Sequence, residues 1–248
     1  MMRLLYVPAV LLLAIAVVPV EAQMLTPGVD EAFNGGLSSP SREVPRVMQS
    51  FIDNSFLSDV TTPTTISGLS FRLPGVANTS YPALGDLNFT RYEITLAEPS
   101  AAAAAANALT SDTFADNMSN AVLVRSGALN VPLGSFTDNS TGPGPEGSAE
   151  FSFVIPFTTN YVIQPGQDLV VLLRHNGHGD LNGVETRWNF DSFTYVSGGR
   201  VATGNVDATS GSLIPDTVLK YGLVIVPEPS ALGLLAAGAL MTLRRRRA

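Results

Sequence analysis

The chain has 248 residues, a formal charge of −7 and no cysteine, which excludes disulfides, thiolate metal sites, cysteine nucleophiles and lipoprotein acylation. Its middle, Gln23 to Val226, is more acidic, with 19 Asp and Glu against 9 Arg and Lys for a charge of −10. Lys220 is the only lysine and there is no basic stripe, so nucleic acid is excluded as a partner, because neutralising phosphates takes clustered Lys and Arg.

Met1 to Arg3 carries one positive charge and Leu4 to Val20 is almost wholly apolar. Val20-Glu21-Ala22 then places small residues at the alternate positions a signal peptidase requires, which predicts a signal peptide over 1–22 cut between Ala22 and Gln23. An uncleaved anchor is the alternative reading, since 17 apolar residues are borderline for a span. Residues 23–45 contain Pro and Gly without periodicity and read as a leader.

From 46 to 225 the pattern is one of short strands separated by turn residues. Strands are predicted at Val47–Phe56, Thr65–Leu73, Leu87–Leu96, Ala121–Arg125, Glu150–Phe157, Asp168–His175, Thr186–Tyr195 and Val218–Val226. Phe151, Phe153, Ile155 and Phe157 alternate, which puts four large side chains on one face, whereas the continuous run Leu169 to Leu173 predicts a strand buried on both faces. Six consecutive alanines between Ser100 and Ala108 predict one short inserted helix capped by Ser100. The expected fold is all-β, a jelly-roll-like β-sandwich over 46–225.

Few residues inside that domain suggest chemistry. Arg174-His175-Asn176-Gly177-His178 holds both histidines, three residues apart with Asp180 and Glu185 nearby, a spacing that suits a metal but falls in a glycine-rich turn. An unliganded polar hairpin tip is the expectation. Asp180, Asn182, Gly183 and Glu185 resemble part of a calcium loop, but acceptor positions are missing and the glutamate comes too soon. No metal or cofactor site is therefore assigned, with a structural Ca²⁺ as the alternative. Trp188, the only tryptophan, falls among Phe190, Phe193 and Tyr195, where core packing is the default and stacking on a sugar ring the alternative. Glu150, Asp168 and Asp191 could pair as a glycosidase pairs its carboxylates, but nothing marks a pair, and no Gly-x-Ser-x-Gly occurs. No catalytic residue is expected.

The C-terminus is more informative. Val226-Pro227-Glu228-Pro229-Ser230 is followed by the uncharged stretch Ala231 to Leu243, and Arg244, Arg245, Arg246 and Arg247 nearly close the chain. Two prolines flanking a carboxylate break regular structure. The 13 uncharged residues are short for a membrane-anchor helix, with thinning or arginine snorkelling covering part of the deficit, and the arginines hold that end inside. The region 226–248 thus reads as a sorting and anchor segment.

In the order of these elements the chain resembles the PEP-CTERM family of exosortase substrates. Parts of the domain also resemble PEP-CTERM ectodomains: Val44-Pro45-Arg46 leading to Phe51, Ile66 to Arg72, Tyr92 to Leu96, Phe114 to Asn117 before Val122 to Gly127, and Pro165 to Leu169 before Arg174-His175. The resemblance implies recognition of the motif by an exosortase, a membrane cysteine peptidase, which removes or transfers the tail. It also implies a Gram-negative bacterium that makes extracellular polysaccharide. The expectation is an exported, non-enzymatic protein of the cell surface or extracellular matrix, structural or adhesive. Its expected partners are signal peptidase, exosortase and the membrane. The alternatives are a carbohydrate-binding module attached to the polysaccharide and, further off, a hydrolase of it.

Overall fold

The described residues are mostly β-strand, arranged in antiparallel sheets with one α-helix among them. The computed structural model describes residues 23–25, 36–37, 39–75, 77–138, 150–179, 190–193, 198–214 and 218–226. In chain order the strands are β1 (Gln23–Leu25), β2 (Gly36–Leu37), β3 (Arg46–Ile52), β4 (Thr64–Phe71), β5 (Leu87–Phe89), β6 (Tyr92–Pro99), β7 (Met118–Arg125) and β8 (Leu129–Val131). They continue with β9 (Phe153–Ile163), β10 (Leu169–His175), β11 (Phe190–Phe193), β12 (Gly199–Thr203), β13 (Ser212–Ile214), β14 (Val218–Leu219) and β15 (Gly222–Val226). The helix α1 spans Ala101–Ala106 between β6 and β7.

Two sheets carry the fold, one of order β1-β15-β4-β9 and one of order β13-β12-β3-β10-β6-β7. Their facing sides supply one apolar core: Ile66, Leu69 and Phe71 of β4, Ile155 and Ile163 of β9 and Leu223 of β15 belong to the same cluster as Met48, Ile52, Ile94, Leu96, Leu169, Val171 and Leu173. The period of two does this sorting, since alternate residues of each strand point inward. On β9 the inward set includes Phe153, Ile155 and Phe157 as predicted, while Val154 and Pro156 are exposed. Phe151 lies ahead of the strand and instead packs under the Arg72 guanidinium, 5.2 Å from its ring centre. Both large sheets end in strands that face each other, β7 and β9, and Thr158 Oγ1 donates to Val124 O across that seam.

The six-stranded sheet is covered on its outer side as well. Val47, Phe51, Val170 and Leu172 point outward and meet Leu109 and Phe114 from the segment between α1 and β7. This is why Leu169 to Leu173 is apolar throughout. That segment is pinned by two buried amides: Asn117 Nδ2 donates to Gln49 Oε1 at 2.9 Å, and Gln49 Nε2 donates to Phe114 O at 2.8 Å. The predicted helix forms with Ser100 as its cap, the hydroxyl accepting from Ala103 N, and it ends at Asn107 in the left-handed region, φ 50°.

Several expectations need adjusting. The predicted strand Leu87–Leu96 is two strands, because Thr90-Arg91 turns out to meet Asn176, whose Oδ1 accepts from Arg91 N. Val47–Phe56 stops at Ile52, where Asp53 caps a 3-10 turn over Asn54–Leu57. Of the expected leader, β1 pairs with β15 as an edge of the four-stranded sheet, and β2 joins β11 and β14 in a small sheet. Strands β8, β12 and β13 carry no signal strong enough to predict them. No helix among the described residues is long and apolar enough to cross a membrane.

Candidate functional site

The strands define two ends of the molecule. At one, here the tail end, β15 finishes at Val226, β4 begins, β9 finishes, and β10 begins after a short turn. At the far end β4, β7 and β10 finish and β6 begins.

Both histidines are at the far end and are turned inward. His175 is fully buried, stacked on Tyr92 with ring centres 5.6 Å apart and edge-on to Phe89 at 5.1 Å. Its Nδ1 accepts from Gly177 N at 3.0 Å. His178 meets Phe89 at 5.6 Å, and its Nε2 lies 3.0 Å from Ser41 O, so that nitrogen carries the proton. Gly177 has φ +83°, and a Cβ there would collide with the carbonyl of Glu43, so the turn is closed down on the 40–45 segment. In place of the polar hairpin tip expected from the sequence, both imidazoles pack inward against Phe89. Among the described residues no three His, Asp or Glu side chains converge as metal ligands. Asp180, Asn182, Gly183, Glu185 and Trp188 lie outside the described residues; of Trp188's neighbours, Phe190 is core, 4.8 Å from Phe136 and 5.5 Å from Phe71.

The candidate carboxylates fall at both ends of the molecule, Asp168 apart from the other two. Asp168 is at the tail end, accepting from the backbone and side-chain amides of Asn54 at 2.8 Å. Glu150 is exposed beyond the far end of β9. Asp191, buried to 1% exposure, forms a 2.7 Å ion pair with Arg72 and a 3.4 Å pair with Lys220. Two cations and one anion thus share a buried site where β11 crosses the end of β4, a cluster with no signal in the sequence because its members are far apart along the chain. Nearby phenols stay protonated: burial pushes Tyr92 and Tyr221 well above the usual tyrosine range, and they donate to Pro40 O and Ser50 Oγ.

An open polar hollow of about 460 Å³ lies beside β12 and β13, lined by Asp112, Thr203, Ser210, Gly211 and Ser212 among others. Among the described residues no aromatic ring lines it.

Of the residues assigned from the sequence to sorting and cleavage, Val226 and Gln23 are described, and both lie at one corner of the tail end. Val226 is the last residue of β15, and Gln23, the residue that cleavage after Ala22 would expose, heads β1 opposite Ile225. Ala22, Pro227, Glu228, Pro229, Ser230 and Arg244 to Arg247 lie outside the described residues. No family model matches the chain, and no curated protein matches it either.

Charge is divided between the two ends. Arg46, Arg72, Arg91, Arg125, Arg174 and Lys220 all sit where strands begin or finish at the far end. Carboxylates there include Glu43, Glu93, Glu150, Asp191 and Asp207; those of Glu93 and Asp207 bind Arg91 at 2.9 and 2.6 Å and hold its guanidinium charged. The tail end carries Asp53, Asp59, Glu98, Asp116 and Asp168. Arg200 is the basic residue nearest to them among the described residues, and it is buried against Leu109 O beside Asp112. Among the described residues, the end at which β15 finishes is therefore the more acidic of the two.

Proposed function

We propose that this chain is an exported bacterial surface or matrix protein, a jelly-roll-like sandwich sorted and processed through its C-terminal segment, with a structural or adhesive role and no catalysis. The observation that carries this is the order of elements in the chain: an apolar segment ending in Val20-Glu21-Ala22, a β domain, Pro227-Glu228-Pro229, an apolar stretch and four arginines. The fold is consistent with it, because β15 ends at Val226, where the motif starts. Exosortase and signal peptidase are the processing partners in this reading, the membrane is the transient anchor, and extracellular polysaccharide is the surrounding medium. The test is the mass of the surface-exposed protein: it begins at Gln23 and lacks Arg244 to Arg247, and recovery of the intact arginine end from mature material overturns the proposal.

A further inference from the structure

The first and last described strands are neighbours. Residues Gln23, Met24 and Leu25 pair with Ile225, Val224 and Leu223, three rungs that bring together positions some two hundred residues apart. They are antiparallel, so the head of β1 and the finish of β15 leave the sheet at the same corner, one strand spacing or about 4.8 Å apart. Leu25 is buried in the main core, and a Cβ on Gly222 would collide with the Met24 sulfur, so β1 is seated closely on β15. On its other side β15 is held by β4 up to Val226, which pairs with Thr65. Val226 is directly followed by Pro227, so the ladder reaches to the edge of the motif.

A peptidase takes its substrate as an extended chain with several residues on each side of the cut, and backbone already paired in a sheet is closed to it until local opening frees the strand. The corner has the construction of a unit that opens by itself. The β15–β4 register shifts between Val224 and Ile225, and the β4–β9 register shifts between Ile66 and Gly68. The two irregularities fall at the same level of the sheet, since Ile225 pairs with Ile66. Beyond them only the last rungs hold the corner, and on the β1 side they come from a strand of three residues.

We infer that the β1–β15 pair is a clasp that gates removal of the C-terminal segment: closed, it shields the junction at Val226, and its opening sets the rate at which the tail is cut. This rests on the sorting reading for the identity of the peptidase, but not for the gate. Export delivers β1 first and its partner β15 last, so the clasp closes only once the whole domain has crossed.

The test uses the native absence of cysteine. Met24→Cys with Val224→Cys joins a ladder pair whose Cα separation suits a disulfide. In the full chain, expressed in a host that processes it, the oxidised double variant should lose its tail about tenfold or more slowly than either single variant, because the open state is removed, and reductant should restore the rate. Met24→Pro, which weakens the clasp, should speed tail loss; thermal unfolding run in parallel identifies any variant that has lost the fold. Equal rates for locked and single variants overturn the inference. Glu228→Ala, measured alongside, separates the two ideas: unchanged tail loss there sinks the sorting reading, while the locked-against-single comparison still reads the gate for whichever peptidase makes the cut.

Discussion

Replacing Asp191 with Asn removes a charge and keeps the shape, and it leaves Arg72 and Lys220 buried without the carboxylate between them. The 2.7 Å and 3.4 Å separations and the 1% exposure of Asp191 put this pair in the class of buried ion pairs. Losing one member of such a pair costs about 3–5 kcal/mol, because the remaining charge stays desolvated. For a domain of this size about 1 kcal/mol moves Tm by roughly 2–4 °C, so Asp191→Asn should lower Tm by roughly 6–20 °C. Urea denaturation of the purified protein, followed by circular dichroism, measures the loss directly. Asp207→Asn is the control: Asp207 is 70% exposed in its pair with Arg91, and its loss should cost less than about 1 kcal/mol. An Asp191→Asn protein no less stable than the control refutes the buried-cluster argument. Lys220→Met, which keeps the 2.7 Å pair, should fall between the two.

Gly177→Ala should destabilise by about 1–3 kcal/mol or more, since φ +83° strains any side chain and the Glu43 carbonyl occupies the space; wild-type stability would mean the 40–45 segment is not held there. At high pH the buried phenols of Tyr92 and Tyr221 give a second prediction. Their folded pKa values lie above the unfolded value of about 10, so the folded state keeps protons that the unfolded state releases. Stability is then complete below that pH and falls as pH rises past it. Phenolate absorbance from these two tyrosines should appear together with unfolding, and its appearance in a still-folded protein would contradict their burial.

Local pattern carried much of this fold and little of its closure. The alternation of Phe153, Ile155 and Phe157, the apolar run through β10 and the alanine helix with its Ser100 cap were all readable, because each is a property of a few consecutive residues. Strands of two or three residues such as β1, β2 and β13 are too short to show a period, and their existence depends on a partner remote in the chain. The same holds for chemistry. Asp191 looks like any other acidic residue until β11 brings it to Arg72, and the histidine pair looks like a ligand set until the Gly177 turn folds both rings onto Phe89. The proposed sorting motif is the opposite case, a linear pattern that can be read without any fold.

Glu228 is the residue on which the account turns. With Glu228→Ala in the producing bacterium, the domain should fold unchanged, keep its arginine end and stay in the inner membrane instead of reaching the surface. Surface display and tail loss at the wild-type level in that variant would contradict the reading of this chain as a sorted substrate.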